Sequence, residues 1–182
     1  KLRTVVEERA NTFVNYGRLW RQFIKDGKQL VWMSERDNWN HLYLYDVQKS
    51  KVIRQITTGD WFVRGIQRVD EEKGEIYFSA SGVNKNEDPY LVHYYKIGID
   101  GKNMVALTPE EGNHSAQYTY DYRYLLDTYS KVDAAPVTVL RDAQTGKLVK
   151  TLETADIATL KKHGWVAPEV FVAKGRDGKT DM

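Results

Sequence analysis

The feature that most constrains this chain is a unit that occurs three times. Its core is a strand, a tight turn and a second strand closing on Leu-Thr or a near equivalent. The first copy is Leu42-Tyr-Leu-Tyr-Asp46, a turn, then Lys51-Val-Ile-Arg-Gln-Ile-Thr-Thr-Gly59. The second is Val92-His-Tyr-Tyr-Lys-Ile97, Asp100-Gly101 and Lys102-Asn-Met-Val-Ala-Leu-Thr108, with Gly112 beyond. The third is Val137-Thr-Val-Leu-Arg-Asp142, Thr145-Gly146 and Lys147-Leu-Val-Lys-Thr-Leu152. Two further strand-like runs precede each copy: 19–24 with 30–33, 62–68 with 76–80, and 117–120 with 124–129. Aromatic and β-branched residues alternating with polar ones read as strands. Asp26-Gly27, Lys73-Gly74, Asp100-Gly101 and Thr145-Gly146 read as the reversals between them.

Four strands per unit, repeated about every 45 to 50 residues, is how β-propeller blades read. An antiparallel sandwich would leave the shared register of turn and Leu-Thr ending as coincidence. The expectation is an all-β fold with three four-stranded antiparallel blades at about 17–58, 59–108 and 112–152. Residues 1–10 are expected to end a preceding blade, with 2–8 as its last strand, so that 1–152 is a partial propeller. Three blades do not close a ring, which takes about four to eight. Neighbouring blades are therefore expected outside this chain. From Thr154 to His163 the spacing turns helical, with Ile157 and Leu160 on one face and Gly164 as a stop. Val170-Phe-Val-Ala173 and a turn at Asp177-Gly178 then read as the start of something new. Residues 153–182 are expected to be a linker helix leading into another domain.

Composition narrows the chemistry. With 27 basic and 25 acidic residues the net charge is +2, too balanced for an electrostatic nucleic-acid binder. The absence of cysteine excludes disulfides, zinc–thiolate sites and a cysteine nucleophile within it. No run approaches the roughly 18 apolar residues of a membrane span. The short apolar run at Lys1–Val6 is no signal peptide.

Candidate chemistry is sparse. A nucleophile elbow, G-x-S-x-G, is absent; Gly112-Asn-His-Ser115 has the wrong spacing. His41, His93, His114 and His163 include no pair at local metal-ligand spacing. Structural roles are expected for all four. Glu71-Glu72 and Glu110-Glu111 lie in polar turns and read as solvated loop charge. Neither a metal nor a cofactor is expected. Asn113-His-Ser115 fits a glycosylation sequon that is common by chance. The stretch Ser34–Asp46 gathers Glu35, Arg36, Asp37, His41 and Asp46 among aromatics. It lacks a nucleophile, so it reads as a decorated turn and strand. In it Asn38 can take the left-handed position of a tight turn and Asp37 can bond turn amides.

These residues also carry a resemblance. Ser34-Glu-Arg-Asp-Asn-Trp-Asn-His-Leu-Tyr-Leu-Tyr-Asp46 resembles the S-E-R-D-G-x-x-H-L-Y-x-Y segment of bacterial dipeptidyl peptidase IV propellers. Phe13-Val-Asn15 with Phe23 and Asp26-Gly27, Gly59-Asp-Trp-Phe-Val-Arg-Gly-Ile66, Tyr77-Phe-Ser79, Leu107-Thr108, Gly112-x-His114 and Asp127-x-Tyr-Ser130 with Pro136 continue the pattern. Asn38 departs from the usual Gly and Phe13 from the usual Trp. The resemblance implies the last blades of an eight-bladed propeller joined to an α/β-hydrolase domain. The whole would be a periplasmic or secreted serine exopeptidase of the prolyl oligopeptidase superfamily, releasing N-terminal dipeptides with Pro or Ala second. It implies no catalytic residue in this chain, since the triad and the acidic pair that grips the substrate amine lie elsewhere. Tyr16 falls near the aromatic that the family places beside its extended substrate pocket. A homodimeric parent is implied. Blade faces left uncovered in an open arc lead to an expectation of self-association. The reading from another class is a non-enzymatic propeller that binds proteins through its blade surfaces.

Overall fold

A computed structural model describes residues 2–10, 13–15, 19–169 and 171–182. Among the described residues, twelve strands form three four-stranded antiparallel sheets, followed by one short helix. The first sheet orders β1 (Arg21–Ile24), β2 (Gln29–Ser34), β3 (His41–Asp46) and β4 (Lys51–Gln55). The second orders β5 (Phe62–Asp70), β6 (Glu75–Ser81), β7 (Val92–Gly98) and β8 (Val105–Ala106). The third orders β9 (Asn113–Tyr118), β10 (Tyr124–Lys131), β11 (Ala134–Asp142) and β12 (Leu148–Thr154). Each sheet is a simple meander, as expected of a propeller blade.

The four expected turns all fall between paired strands. Gly27, Gly74, Gly101 and Gly146 each have positive φ, the conformation glycine adopts without steric cost. Gly146 could be nothing larger. A Cβ there would lie 2.6 Å from the Ala106 carbonyl oxygen and 2.8 Å from the Leu107 Cα, because this turn of the third sheet presses on the second.

Two apolar layers glue the sheets together. Val31, Met33, Leu42 and Leu44 of the first sheet meet Trp61, Val63, Ile76, Phe78, Ala80, Tyr95 and Ile97. Tyr77 and Leu107 meet Leu125 and Ala143 between the second and third sheets. Side chains such as Leu42, Leu107 and Leu125, fully buried here, each stabilise the packing by about 2 kcal/mol. By contrast β4 and β12 are exposed along almost their whole length, as rim strands should be.

Several boundaries moved. β9 begins at Asn113 rather than 117, because Asn113 to Tyr118 pair in unbroken register with Ser130 to Leu125. β8 shrinks to Val105–Ala106 because a turn bonded from Gly98 N to Lys102 O and a left-handed Asn103 use up its first half. The third copy of the repeat closes at Ala155 rather than Leu152: Ala155 N bonds Pro136 O, just as Ile56 N bonds Leu42 O and Leu107 N bonds Tyr94 O. The helix is Ala158–Lys162, shorter than the 154–163 expected, because Thr154 stays in β12 and Asp156 caps the Ala158 amide at 2.7 Å.

Residues 2–8 form no regular strand. They cross the first sheet through side chains: Arg3 donates to the Val47 carbonyl at 2.7 Å, Ser50 Oγ donates to the Thr4 carbonyl at 3.0 Å, and Val5 and Val6 pack on Leu30, Tyr43 and Tyr45. Of the strand expected at 170–173, Val170 lies outside the described residues. Ala173 and Lys174 instead pair with Met182 and Asp181 in a small hairpin around the expected Asp177-Gly178 turn.

Candidate functional site

The Ser34–Asp46 stretch builds a polar cluster with the N-terminal segment. β2 and β3 pair from Gln29↔Asp46 to Ser34↔His41, which brings Trp32 and Ser34 beside Tyr43 and Tyr45. Glu8 enters over them. Its carboxylate accepts from Trp32 Nε1 at 2.7 Å, from Ser34 Oγ at 3.0 Å and from Arg36. Arg36 also donates to the Tyr45 hydroxyl at 2.6 Å and lies 4.5 Å over the Tyr43 ring. Burial works against the Arg36 charge, but bonds to Tyr45 and Glu8 outweigh it and raise the guanidinium above its ordinary value. The Tyr43 phenol is pushed up too, first by burial and then by Asp37. Asn38 is left-handed, with φ of 75°, and Asp37 accepts from the Trp39 amide and Gln55 Nε2. A cavity of about 500 Å³ opens above, lined by Glu8, Phe13, Asn15, Glu35, Arg36 and Asn40 among others. Tyr16 lies outside the described residues.

The charged groups of this cluster are bonded to one another and to the turn. Its cation and Glu8 neutralise each other, and Asp37 is spent on the turn and on Gln55. Glu35 lines the cavity rim.

The histidines make a repeated device. His41 opens β3 and His93 follows the first residue of β7. In each sheet the threonine of the Leu-Thr ending caps the amide after the histidine: Leu42 N to Thr57 Oγ1 and Tyr94 N to Thr108 Oγ1, both 2.9 Å. That is the physical content of the recurring Thr. The His41 ring contacts Thr57 Oγ1 and the Gly59 carbonyl, both at 2.9 Å. The His93 ring contacts the Thr108 carbonyl at 2.8 Å and the Glu87 carboxylate at 2.7 Å. A ring from beyond each repeat then packs on each histidine, Trp61 from the β4–β5 connection and His114 from β9. Trp61 meets His41 edge-on at 4.9 Å between centroids, and His114 meets His93 at 4.8 Å. In the third sheet Ala135 and Asp156 replace the pair, and the device stops.

His114 belongs to a buried ionic network. Its Nδ1 donates to Asp127 at 2.9 Å, Asp127 accepts Arg141 Nε at 2.9 Å, and Arg141 also pairs with Glu110. His114, Asp127 and Arg141 side chains are no more than 1% exposed. A histidine on a buried aspartate has the look of a catalytic couple. Here its Nε2 is occupied by the Glu110 carbonyl at 2.8 Å, so no ring nitrogen is left for a substrate. The sequence signal was there to find: Asp127 and Arg141 each interrupt an apolar strand run. A lone charge in such a register needs a buried partner. Among the described residues, no group of three His, Cys, Asp or Glu side chains could hold a metal ion.

Three clasped, four-stranded sheets with exposed rims define a segment of a β-propeller. The chain belongs to the dipeptidyl peptidase IV N-terminal region family, whose model matches residues 1–136. It is 28% identical over 160 residues to the "probable dipeptidyl peptidase 4" of Arthroderma benhamiae, covering 85% of this chain and 20% of that protein. Its fold is similar to the crystal structure of Porphyromonas gingivalis dipeptidyl peptidase 4, with a TM-score of 0.66 at 25% identity, over 86% of this chain and 22% of that one. It is equally similar, at 26% identity and a TM-score of 0.66, to a putative dipeptidyl aminopeptidase IV from Bacteroides ovatus, over 88% of this chain and 25% of that one. The chain thus spans about a fifth of the length of the curated relatives it matches.

Proposed function

We propose that this chain is the non-catalytic propeller part of a dipeptidyl peptidase IV-like serine exopeptidase that removes N-terminal X-Pro or X-Ala dipeptides. The observation that carries the reading is the family match over residues 1–136. The geometry agrees with it: the buried histidines and carboxylates are committed to holding sheets together. In the parent the propeller walls the cavity, limits entry to unfolded peptide ends and helps bind them. Tyr16 contributes to the parent's extended substrate pocket, as the family resemblance implies. Residues 153–182 lead into the hydrolase domain. The parent is periplasmic or secreted, and a homodimer. Among the described residues no helix is long and apolar enough to cross a membrane.

The test is hydrolysis of Gly-Pro-p-nitroanilide. The native-length protein should cleave it and lose activity to a serine-directed fluorophosphonate, while the 182-residue chain alone should be silent. A native-length protein that is folded and inactive sinks the reading. So does activity that purifies with the isolated chain.

A further inference from the structure

The rim strands β4 and β12 are exposed, so the first strands β1, β5 and β9 form the opposite, axial edges of the sheets. Their sequences are Arg-Gln-Phe-Ile, Phe-Val-Arg-Gly-Ile-Gln-Arg-Val-Asp and Asn-His-Ser-Ala-Gln-Tyr. They hold three arginines and one carboxylate. That carboxylate, Asp70, ends β5 and pairs with Arg68 at 3.0 Å. Basic residues are no denser on these strands than along the whole chain, but carboxylates are fewer and the one present is already paired. With Arg68 paired to Asp70, Arg21 and Arg64 are the cations these strands leave without an ion pair among the described residues.

Arg64 is the best placed of these cations. It is exposed near the start of β5, and its side chain is aimed. Nε donates to Ser81 Oγ at 2.9 Å, a terminal nitrogen reaches the Tyr90 carbonyl at 3.5 Å, and the guanidinium lies 4.8 Å over the Phe62 ring. Among the described residues no carboxylate pairs with it. The acids of the adjoining β6–β7 loop are engaged elsewhere: Glu87 with His93 and Asn84, and Asp88 with the Tyr90 amide. Arg21 of β1 is likewise exposed and forms no ion pair among the described residues. In a meander the start of β5, the β2–β3 connection, the β6–β7 connection and the end of β12 share one end of the sheets. Arg64 therefore sits at the end that carries the cavity beside Glu8 and Arg36, where the chain leaves the propeller.

An arginine held by its Nε and by an aromatic face keeps donors free for a carboxylate, whose two oxygens match its fork. We propose that Arg64 is a carboxylate anchor on the axial wall. It favours peptide substrates that carry an acidic side chain or a nearby C-terminal carboxylate beyond the released dipeptide. The inference rests on the exopeptidase reading above.

The experiment uses the native-length protein and four probes. Gly-Pro-p-nitroanilide carries no carboxylate. Gly-Pro-Gly-Gly-Gly-amide is the neutral peptide. One further peptide replaces its last Gly by Glu, and another has a free C-terminus. The wild type is expected to show about a 5- to 10-fold higher kcat/KM for one or both carboxylate-bearing peptides at low salt, as one partly exposed charge-assisted contact allows. Which of them gains tells the side-chain source from the terminal one. Raising salt should shrink the gain. Arg64→Gln should abolish it and leave the anilide unchanged, and Arg64→Lys should keep part of it. An equal preference in Arg64→Gln overturns the anchor while the exopeptidase reading stands. So does the absence of any preference in the wild type. Failure to cleave even the anilide overturns both.

Discussion

Replacing Asp127 by Asn should loosen the third sheet and leave the other two alone. The side chain is fully buried. Its carboxylate accepts from His114 Nδ1 at 2.9 and 3.0 Å and from Arg141 Nε at 2.9 Å. An amide of the same shape turns one of those oxygens into a donor, which faces a donor. Arg141 would retain Glu110, which is 38% exposed, and the Gly146 carbonyl at 3.3 Å. Removing one partner of a buried pair costs about 3 to 5 kcal/mol, and the surviving Glu110 contact places this case near 3. At about 1.4 kcal/mol per tenfold, local opening should rise about 100-fold. His114, Asp127 and Arg141 lie on β9, β10 and β11, so the effect has an address. Native-state amide exchange should quicken at Leu126, Thr128 and Leu140 and stay unchanged at Val31 and Leu44. The double change Asp127→Leu with Arg141→Met, which leaves no orphaned charge on that pair, should recover part of the loss. A rise below about 3-fold in the third sheet, or an equal rise in all three, would refute the reasoning.

Three other outcomes are expected. Gly146→Ala forces a Cβ onto the Ala106 carbonyl at 2.6 Å with φ of +72°; overpacking and left-handed strain together should cost about 2 to 4 kcal/mol by urea unfolding followed by far-ultraviolet circular dichroism. The Asp177 carboxyl is pulled down to about 2, chiefly by the Thr180 hydroxyl and then by the Lys179 and Thr180 amides. A depressed value means the hairpin's support is complete above the ordinary carboxylate value of about 3.9 and is lost as pH falls through about 2. Lys179 and Thr180 amide shifts in an NMR titration should move in that window, and in Asp177→Asn they should not. Finally, the blade faces left uncovered in an open arc lead us to expect association of the isolated chain at micromolar concentration, and a monomer by light scattering would count against it.

The strands, their meander and the turns were legible from residues alone because their causes are local. Period-two alternation commits a run to a strand, and Asp-Gly or Lys-Gly supplies the left-handed turn, whatever lies across the sheet. The turn within Ser34–Asp46 was legible for the same reason: Asn38 takes its left-handed conformation and Asp37 accepts the Trp39 amide within the turn itself, whereas the Asp37 bond to Gln55 comes from strand pairing. Tertiary structure decided what depends on register and on neighbours. Only pairing between strands sets His114 on Asp127 and Asp127 on Arg141, across 13 and 14 residues of sequence. Only stacking of sheets lays Trp61 on His41 and His114 on His93. The third repeat ends at Ala155 because ladder bonds continued past the apolar pattern. The Glu8–Arg36 cluster formed because a segment with no strand pattern of its own fell across β2 and β3. Local sequence sets which backbone states are cheap. Which charges meet is set by packing, and a one-dimensional pattern does not contain it.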